Sequence, residues 1–243
     1  MSSTTDPVPG RLYRRHTLAV RVMHWINVLA VFVLIMSGLQ IFNAHPALYW
    51  GPSSYTGAGP FFDPGRFPGW ITVPDVQWLS MGRRWHLFFA WVLVINGAAY
   101  IAYTIASRHL ARDLWPTQTD VKSIPRSVVD HAMLRHPKGL AATRYNVLQK
   151  LAYLAIIFVV LPGIVLMGLG MSPMIDAVIP GWVSAFGGRQ SVRSLHFIAG
   201  ALLVAFVLVH VFEVVVTGVW NNLRSMITGR YRIPPDGGAA GQP

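Results

Sequence analysis

The sequence predicts an all-α integral membrane protein, a four-helix bundle with both termini in the cytoplasm, and three observations carry that expectation. Hydrophobic residues fill 53% of the 243 positions and charged residues only 12%, about half the charged share of an ordinary soluble domain. The apolar excess is gathered into four long blocks, each able to supply the about 20 residues that a helix needs to cross a bilayer. Fifteen of the twenty Lys and Arg residues fall in segments 1–21, 108–150 and 221–243, leaving only Arg66, Arg83, Arg84, Arg189 and Arg193 elsewhere. The positive-inside rule therefore puts the termini and the 108–145 connection on the cytoplasmic side. The whole of 1–243 reads as one transmembrane domain.

Taken in order, residues 1–16 are polar and then basic, with Arg11, Arg14 and Arg15, and read as disordered at the start. The first span covers about 17–42. No small-residue cleavage site follows it, so it reads as a retained helix rather than a signal peptide. Residues 43–83 carry six prolines and the aromatics Tyr49, Trp50, Phe61, Phe62, Trp70 and Trp78, and form the outer loop. The second span covers about 84–107, and a polar, basic connection follows. The third span covers about 145–170, with a kink expected at Pro162-Gly163 because proline withdraws a helical N–H. A short loop leads to the fourth span, about 192–220. The tail PPDGGAAGQP reads as disordered.

The net charge of +11 does not argue for nucleic acid, because the basic residues flank apolar blocks instead of forming one patch. Membrane orientation and anionic lipid headgroups account for that pattern. Cysteine is absent, which excludes disulfides, thiolate metal sites and iron–sulfur clusters held by this chain. Any metal ligation falls to the nine histidines.

Four histidines lie inside the spans: His24, His86, His196 and His210. An ionisable side chain in a membrane helix is costly and by default marks function. A single one also reads as a hydrogen-bonded core residue, but four at matched depths do not. His196 and His210 are 14 residues apart, about 21 Å along a helix and within about 40° of one face. His196 lies near the outer end of its span and His210 near the inner end. His24 follows the cytoplasmic start of the first span, and His86 the outer start of the second. The depths pair His24 with His210 inside and His86 with His196 outside.

Two imidazoles on facing helices at one depth suit the two axial positions of a six-coordinate haem. Such a haem has no open site and serves electron transfer. Small residues are expected beside the macrocycles, and Gly38, Gly97 and Gly200 lie near the histidine faces; ordinary helix packing is the alternative for each. A di-iron site needs several inward carboxylates, and the spans hold only Glu213. A histidine-only zinc site needs three ligands at one depth.

RVMHW in the first span, RRWHLFFAW in the second, and LHFIAG with LVHVFEV in the fourth resemble the bacterial di-haem cytochrome b superfamily. That family includes the cytochrome b-561 type and the cytochrome b subunits of nickel-iron hydrogenases and formate dehydrogenases. The resemblance covers essentially all of 11–232 and implies the same histidine pairing. RYNVLQK at 144–150 is similar to the formate dehydrogenase subunit's Tyr-Asn-x-Gly-Gln-Lys pattern, where the asparagine helps to bind a quinone. Asn146, Gln149 and Lys150 match, whereas Leu148 replaces the glycine. Asn146 thus reads either as a quinone contact or as a helix cap. The outer segment from NAHPALYWG departs from the hydrogenase type and looks more like the subgroup that partners periplasmic molybdopterin oxidoreductases; His45 within it reads as a loop residue.

Haem propionates need cationic partners. Arg83, Arg84 and Arg193 are placed for an outer haem, and Arg15 and Arg21 for an inner one. Glu213, three residues after His210, shares its face and reads as a proton relay or, by preference, as a carboxylate at the interface or paired with arginine. His16, His109, His131 and His136 read as surface residues.

The function expected is a di-haem b-type cytochrome of the bacterial inner membrane. It would move electrons between a quinone pool and a periplasmic redox partner, a molybdopterin oxidoreductase or a c-type cytochrome. The exposed aromatics of the outer loop suit a docking surface. The alternatives are a stand-alone quinol or superoxide oxidoreductase, a proton-conducting transporter, for which no inverted repeat is evident, and a structural anchor.

Overall fold

The computed structural model describes residues 12–54, 57, 59–108, 110, 114–133, 135, 145–179 and 181–233. Arg11, His109, His136, Arg144 and the PPDGGAAGQP tail lie outside the described residues.

Among the described residues the protein is helical apart from a two-stranded ribbon, and four helices are long and apolar enough to span a membrane. Helix α1 is Leu18–Phe42 and α2 is Leu79–Ala106. Two short helices follow, α3 (Gln118–Lys122) and α4 (Ile124–Ala132). The third span is composite: α5 (Val147–Ala155), a π-helical turn (Ile156–Val160) and α6 (Leu161–Gly170). Two short helices, α7 (Pro173–Val178) and α8 (Trp182–Ala185), precede α9 (Arg189–Val216), and α10 (Val219–Thr228) comes last. Strands β1 (Leu12–Arg14) and β2 (Arg230–Arg232) pair antiparallel. The spans carry large exposed apolar side chains, such as Phe32, Trp91, Ile95 and Leu208. Water would penalise such surfaces, whereas lipid tails solvate them.

Three features differ from expectation. Helix α2 begins at Leu79, before the arginines taken as its edge, and its Gly82 packs tightly: a Cβ there would stand 2.8 Å from Gln40 Cγ. Helix α9 stops at Val216 instead of continuing to Trp220, because Gly218 takes φ +106°, a left-handed conformation that ends a helix. The third span accommodates Pro162 with the π-turn just before it. Proline's ring and missing N–H disturb the carbonyl one turn earlier, and a widened turn absorbs the mismatch.

The chain divides into two compact units. The first comprises Met1–His24, Tyr100–Ala155 and Val209–Pro243. Here Thr117 and Asp120 form a capping box on α3, and Lys150 Nζ donates to Asp120 Oδ2 at 2.8 Å. The ammonium, together with the Thr117 amide, holds the Asp120 carboxyl down to about 2. Asn146 caps α5: its Oδ1 accepts from the Leu148 amide at 3.0 Å, while its own N–H donates to Gln149 Oε1 at 3.2 Å.

The second unit comprises Trp25–Ala99 and Ile156–Leu208. Its spans pack through small cores: Ala30 with Phe89 and Leu93, and Met167 with Val183 and Val192. Asn96 Nδ2 donates to Asn27 Oδ1 at 2.7 Å, a polar clasp between α1 and α2 of the kind that joins helices within lipid. The outer loop is fastened at several points. Asn43 exchanges two hydrogen bonds with the Phe67 backbone, and Gln40 Nε2 donates to the Val76 carbonyl. Ser194 Oγ donates to the Tyr49 carbonyl, and the Gly51 amide donates to Ser191 Oγ. Gly188, at φ +107°, lets the chain pass so close that a Cβ would stand 2.6 Å from Pro52 Cα.

Candidate functional site

Each unit contains one of the two histidine pairs. In the first, His24 of α1 and His210 of α9 face each other with ring centres 6.4 Å apart and planes tilted by 57°. In the second, His86 of α2 and His196 of α9 have ring centres 6.1 Å apart and planes at 68°. The test of fit is metric. A metal bound to two imidazole nitrogens at about 2 Å each, with ring centres about 1 Å behind them, sets the centres about 6 Å apart. Both pairs have that separation, and it is too wide for a direct hydrogen bond. Among the described residues, no group of three or more His, Cys, Asp or Glu side chains forms a metal-ligand set.

The second pair has an ordered supporting shell. His196 Nδ1 lies 2.9 Å from the Ile164 carbonyl, which can only accept, so Nδ1 carries the proton and Nε2 the lone pair. His86 Nδ1 lies 3.1 Å from Ser37 Oγ. The single Ser37 hydrogen is directed to the Val33 carbonyl at 2.7 Å, so the hydroxyl accepts from His86 and the same tautomer results. Hydrogen bonds of this kind fix the orientation and basicity of metal-ligating histidines.

Two glycines make room for these rings. A Cβ on Gly38 would meet His86 Cε1 at 3.4 Å, and one on Gly168 would meet His196 Cε1 at 3.3 Å. Gly38 therefore leaves room for the His86 imidazole. Gly97 and Gly200 face open space within 4 Å. Ser37, Ile164 and Gly168 were not singled out by the sequence. A serine within an apolar span is a usable signal for the first; a backbone carbonyl leaves none.

The other expected site residues fall as follows. Arg193 donates through both terminal nitrogens, to the carbonyls of His45 and of Ala47, and lies 5.5 Å from the Phe42 ring centre. Those contacts tie it to the loop. Arg84, like Arg83, is exposed. Arg21 donates to the Ile227 carbonyl, while its buried Nε has no hydrogen-bond partner among the described residues and remains a donor for an anionic group. Arg15 sits over the Tyr231 ring at 4.8 Å. Glu213 is half-buried, and Tyr153 has Arg15, Tyr100 and Glu213 as electrostatic neighbours. Asn146, Gln149 and Lys150 all serve helix capping or the Asp120 ion pair. His45 is a loop residue, stacked on Tyr49 and bonded to Ser54. His131 Nδ1 lies 3.2 Å from the Ser127 carbonyl, and His16 is half-buried beside β1.

Residues 15–229 match the family described as prokaryotic cytochrome b561. A protein of Azospira oryzae, named "Putative protein-methionine-sulfoxide reductase subunit YedZ1", is 33% identical over 227 residues, covering 90% of this chain and 98% of that protein. A "Probable Ni/Fe-hydrogenase B-type cytochrome subunit" of Cupriavidus necator is 26% identical, covering 88% of this chain and 84% of its own. A protein of the same description from Rhodobacter capsulatus is 22% identical, covering 89% and 80%.

Proposed function

This chain belongs to the prokaryotic cytochrome b561 family, and from that premise we propose that it holds two b-type haems, one between His24 and His210 and one between His86 and His196. The family and its relatives make it a multi-pass, b-type cytochrome membrane subunit for electron transfer. The observation that carries the two-haem reading is the spacing of both imidazole pairs, 6.4 and 6.1 Å between ring centres.

A bis-histidine haem supplies reversible one-electron transfer at an iron with no open coordination position. The chain's own residues do the rest. The four imidazoles present nitrogen lone pairs to the metal positions. Ser37 and the Ile164 carbonyl hold the His86 and His196 rings in the metal-binding tautomer. Arg21, with its buried Nε, would supply a donor to an anionic group held near His24.

The excess of basic residues in 1–21, 108–150 and 221–243 supports a bacterial inner-membrane location with both termini cytoplasmic. The His24–His210 site is then the inner one, next to a quinone pool, and the His86–His196 site the outer one. The outer loop, fastened to α1 and α9 and exposing Trp50, Phe61, Trp70 and Trp78, serves as the docking surface for a periplasmic oxidoreductase. The Azospira oryzae relative's name favours reduction of protein methionine sulfoxide as that partner's reaction, a chemistry that needs an electron supply. A molybdopterin enzyme is the partner class in this reading.

The test is the purified protein's haem content and reduced-minus-oxidised spectrum. Two haems per chain are expected, with His196→Ala losing one and His24→Ala losing the other. A protein without a b-type spectrum, or both variants losing the same haem, both haems or none, overturns the assignment.

A further inference from the structure

The end of the first unit carries a cationic surface that none of the electron-transfer residues explains. In the β1–β2 ribbon, Arg14 stands directly opposite Arg230, and Leu12 opposite Arg232. Strand alternation puts these three arginines on one face, with Tyr13 and Tyr231 on the other. Tyr231 is buried, whereas Arg14, Arg230 and Arg232 are exposed. Like charges directly opposed across a ribbon are destabilising. Among the described residues no acidic side chain pairs with Arg14, Arg224, Arg230 or Arg232.

The ribbon is held rigidly against an amphipathic helix. Asn221 of α10 donates to the Arg232 carbonyl at 2.7 Å and accepts from its amide at 2.9 Å. The Arg15 amide donates to the Gly229 carbonyl at 2.9 Å. On α10, Trp220, Arg224 and Ile227 are spaced i, i+4, i+7, one stripe of a helix. That stripe is exposed, with Trp220 at 79% and Ile227 at 63%, and Gly218, in a left-handed conformation, separates α10 from the end of the α9 span.

We propose that this surface binds an anionic phospholipid, its phosphate held by Arg14, Arg230 and Arg232 and its acyl chains by Trp220 and Ile227. Arginine forks match phosphate oxygens, and a bound phosphate turns the Arg14–Arg230 repulsion into shared attraction. A free anion would satisfy the arginines and leave Trp220 and Ile227 in water. A lipid satisfies both, as basic amphipathic helices do at a bilayer interface.

The full-length protein in detergent is titrated with phosphatidylglycerol, with phosphatidylcholine of the same chains, and with glycerophosphoglycerol, the headgroup without tails. Retained lipid is read by native mass spectrometry and stabilisation by thermal melting. The wild type is expected to prefer phosphatidylglycerol, and the preference to fall about fivefold for each of Arg14→Gln, Arg230→Gln and Arg232→Gln. Arg14→Gln is also expected to raise the lipid-free melting temperature, since it relieves the like-charge pair, while shrinking the rise that phosphatidylglycerol adds. A merely structural arginine would lower the first. Trp220→Ala is expected to weaken phosphatidylglycerol binding while sparing the headgroup preference. The proposal is overturned if the arginine variants keep the wild-type preference, if Arg14→Gln lowers the lipid-free melting temperature, or if glycerophosphoglycerol binds as well as the lipid.

Discussion

Replacing Ser37 by Ala tests whether the His86–His196 site is tuned from its supporting shell. Ser37 is fully buried, and its hydroxyl accepts from His86 Nδ1 at 3.1 Å while donating to the Val33 carbonyl. The variant removes this acceptor and leaves the imidazole with the Leu34 backbone as its remaining hydrogen-bond partner, a loss of about 1 kcal/mol. A hydrogen bond from the distal nitrogen makes an imidazole a better electron donor and so favours the more oxidised metal. Losing about 1 kcal/mol of that preference raises a one-electron midpoint potential by about 40 mV. Loss of such outer partners also weakens metal binding by about 10–100-fold. A spectroelectrochemical titration of the reconstituted protein reads both effects. The expected result is an upward shift of one of two potentials, with faster haem loss from that site alone. Two unchanged potentials with unchanged haem retention would refute the assigned tautomer; equal shifts at both sites would refute the assignment of Ser37 to one pair.

Gly168→Val is expected to displace the His196 ring, since even a Cβ would lie 3.3 Å from Cε1; haem content should fall from two to one, measured by pyridine haemochrome assay. Arg193→Met removes the donors to the His45 and Ala47 carbonyls, each charge-assisted bond contributing about 1.5–3 kcal/mol. Limited proteolysis within 43–78 should accelerate while both haems remain, whereas haem loss would point to a propionate partner. The Asp120–Lys150 ion pair contributes stability with a definite pH sense. Because the Asp120 carboxyl is held down to about 2, the contribution is present above the ordinary carboxylate range near 4 and is lost as pH falls toward 2. Asp120→Asn should abolish that portion of the melting temperature's pH dependence in the same window.

The four spans and the pairing partners of the histidines were legible in the sequence because both rest on one-dimensional quantities. A bilayer demands a run of apolar residues whatever they pack against, and a helix converts residue spacing into depth. His24, His86, His196 and His210 could be matched on those grounds. The N-cap reading of Asn146 was legible in the sequence, and its reciprocal bonds with Leu148 and Gln149 form that cap. Contacts that depend on the rotation and approach of two helices were not legible. Gly38 and Gly168 touch imidazoles on other helices, while Gly97 and Gly200 touch nothing nearby, and no spacing rule separates these pairs. Arg193 donates to loop carbonyls some 150 positions away in the chain, a contact that no sequence spacing announces. The Ile164 carbonyl that orients His196 has no side-chain signature at all. Composition and periodicity determined the solvent, the element type and the depth of each histidine. Which polar group meets which in the low-dielectric interior depends on angles between helices, and only the packed chain sets those.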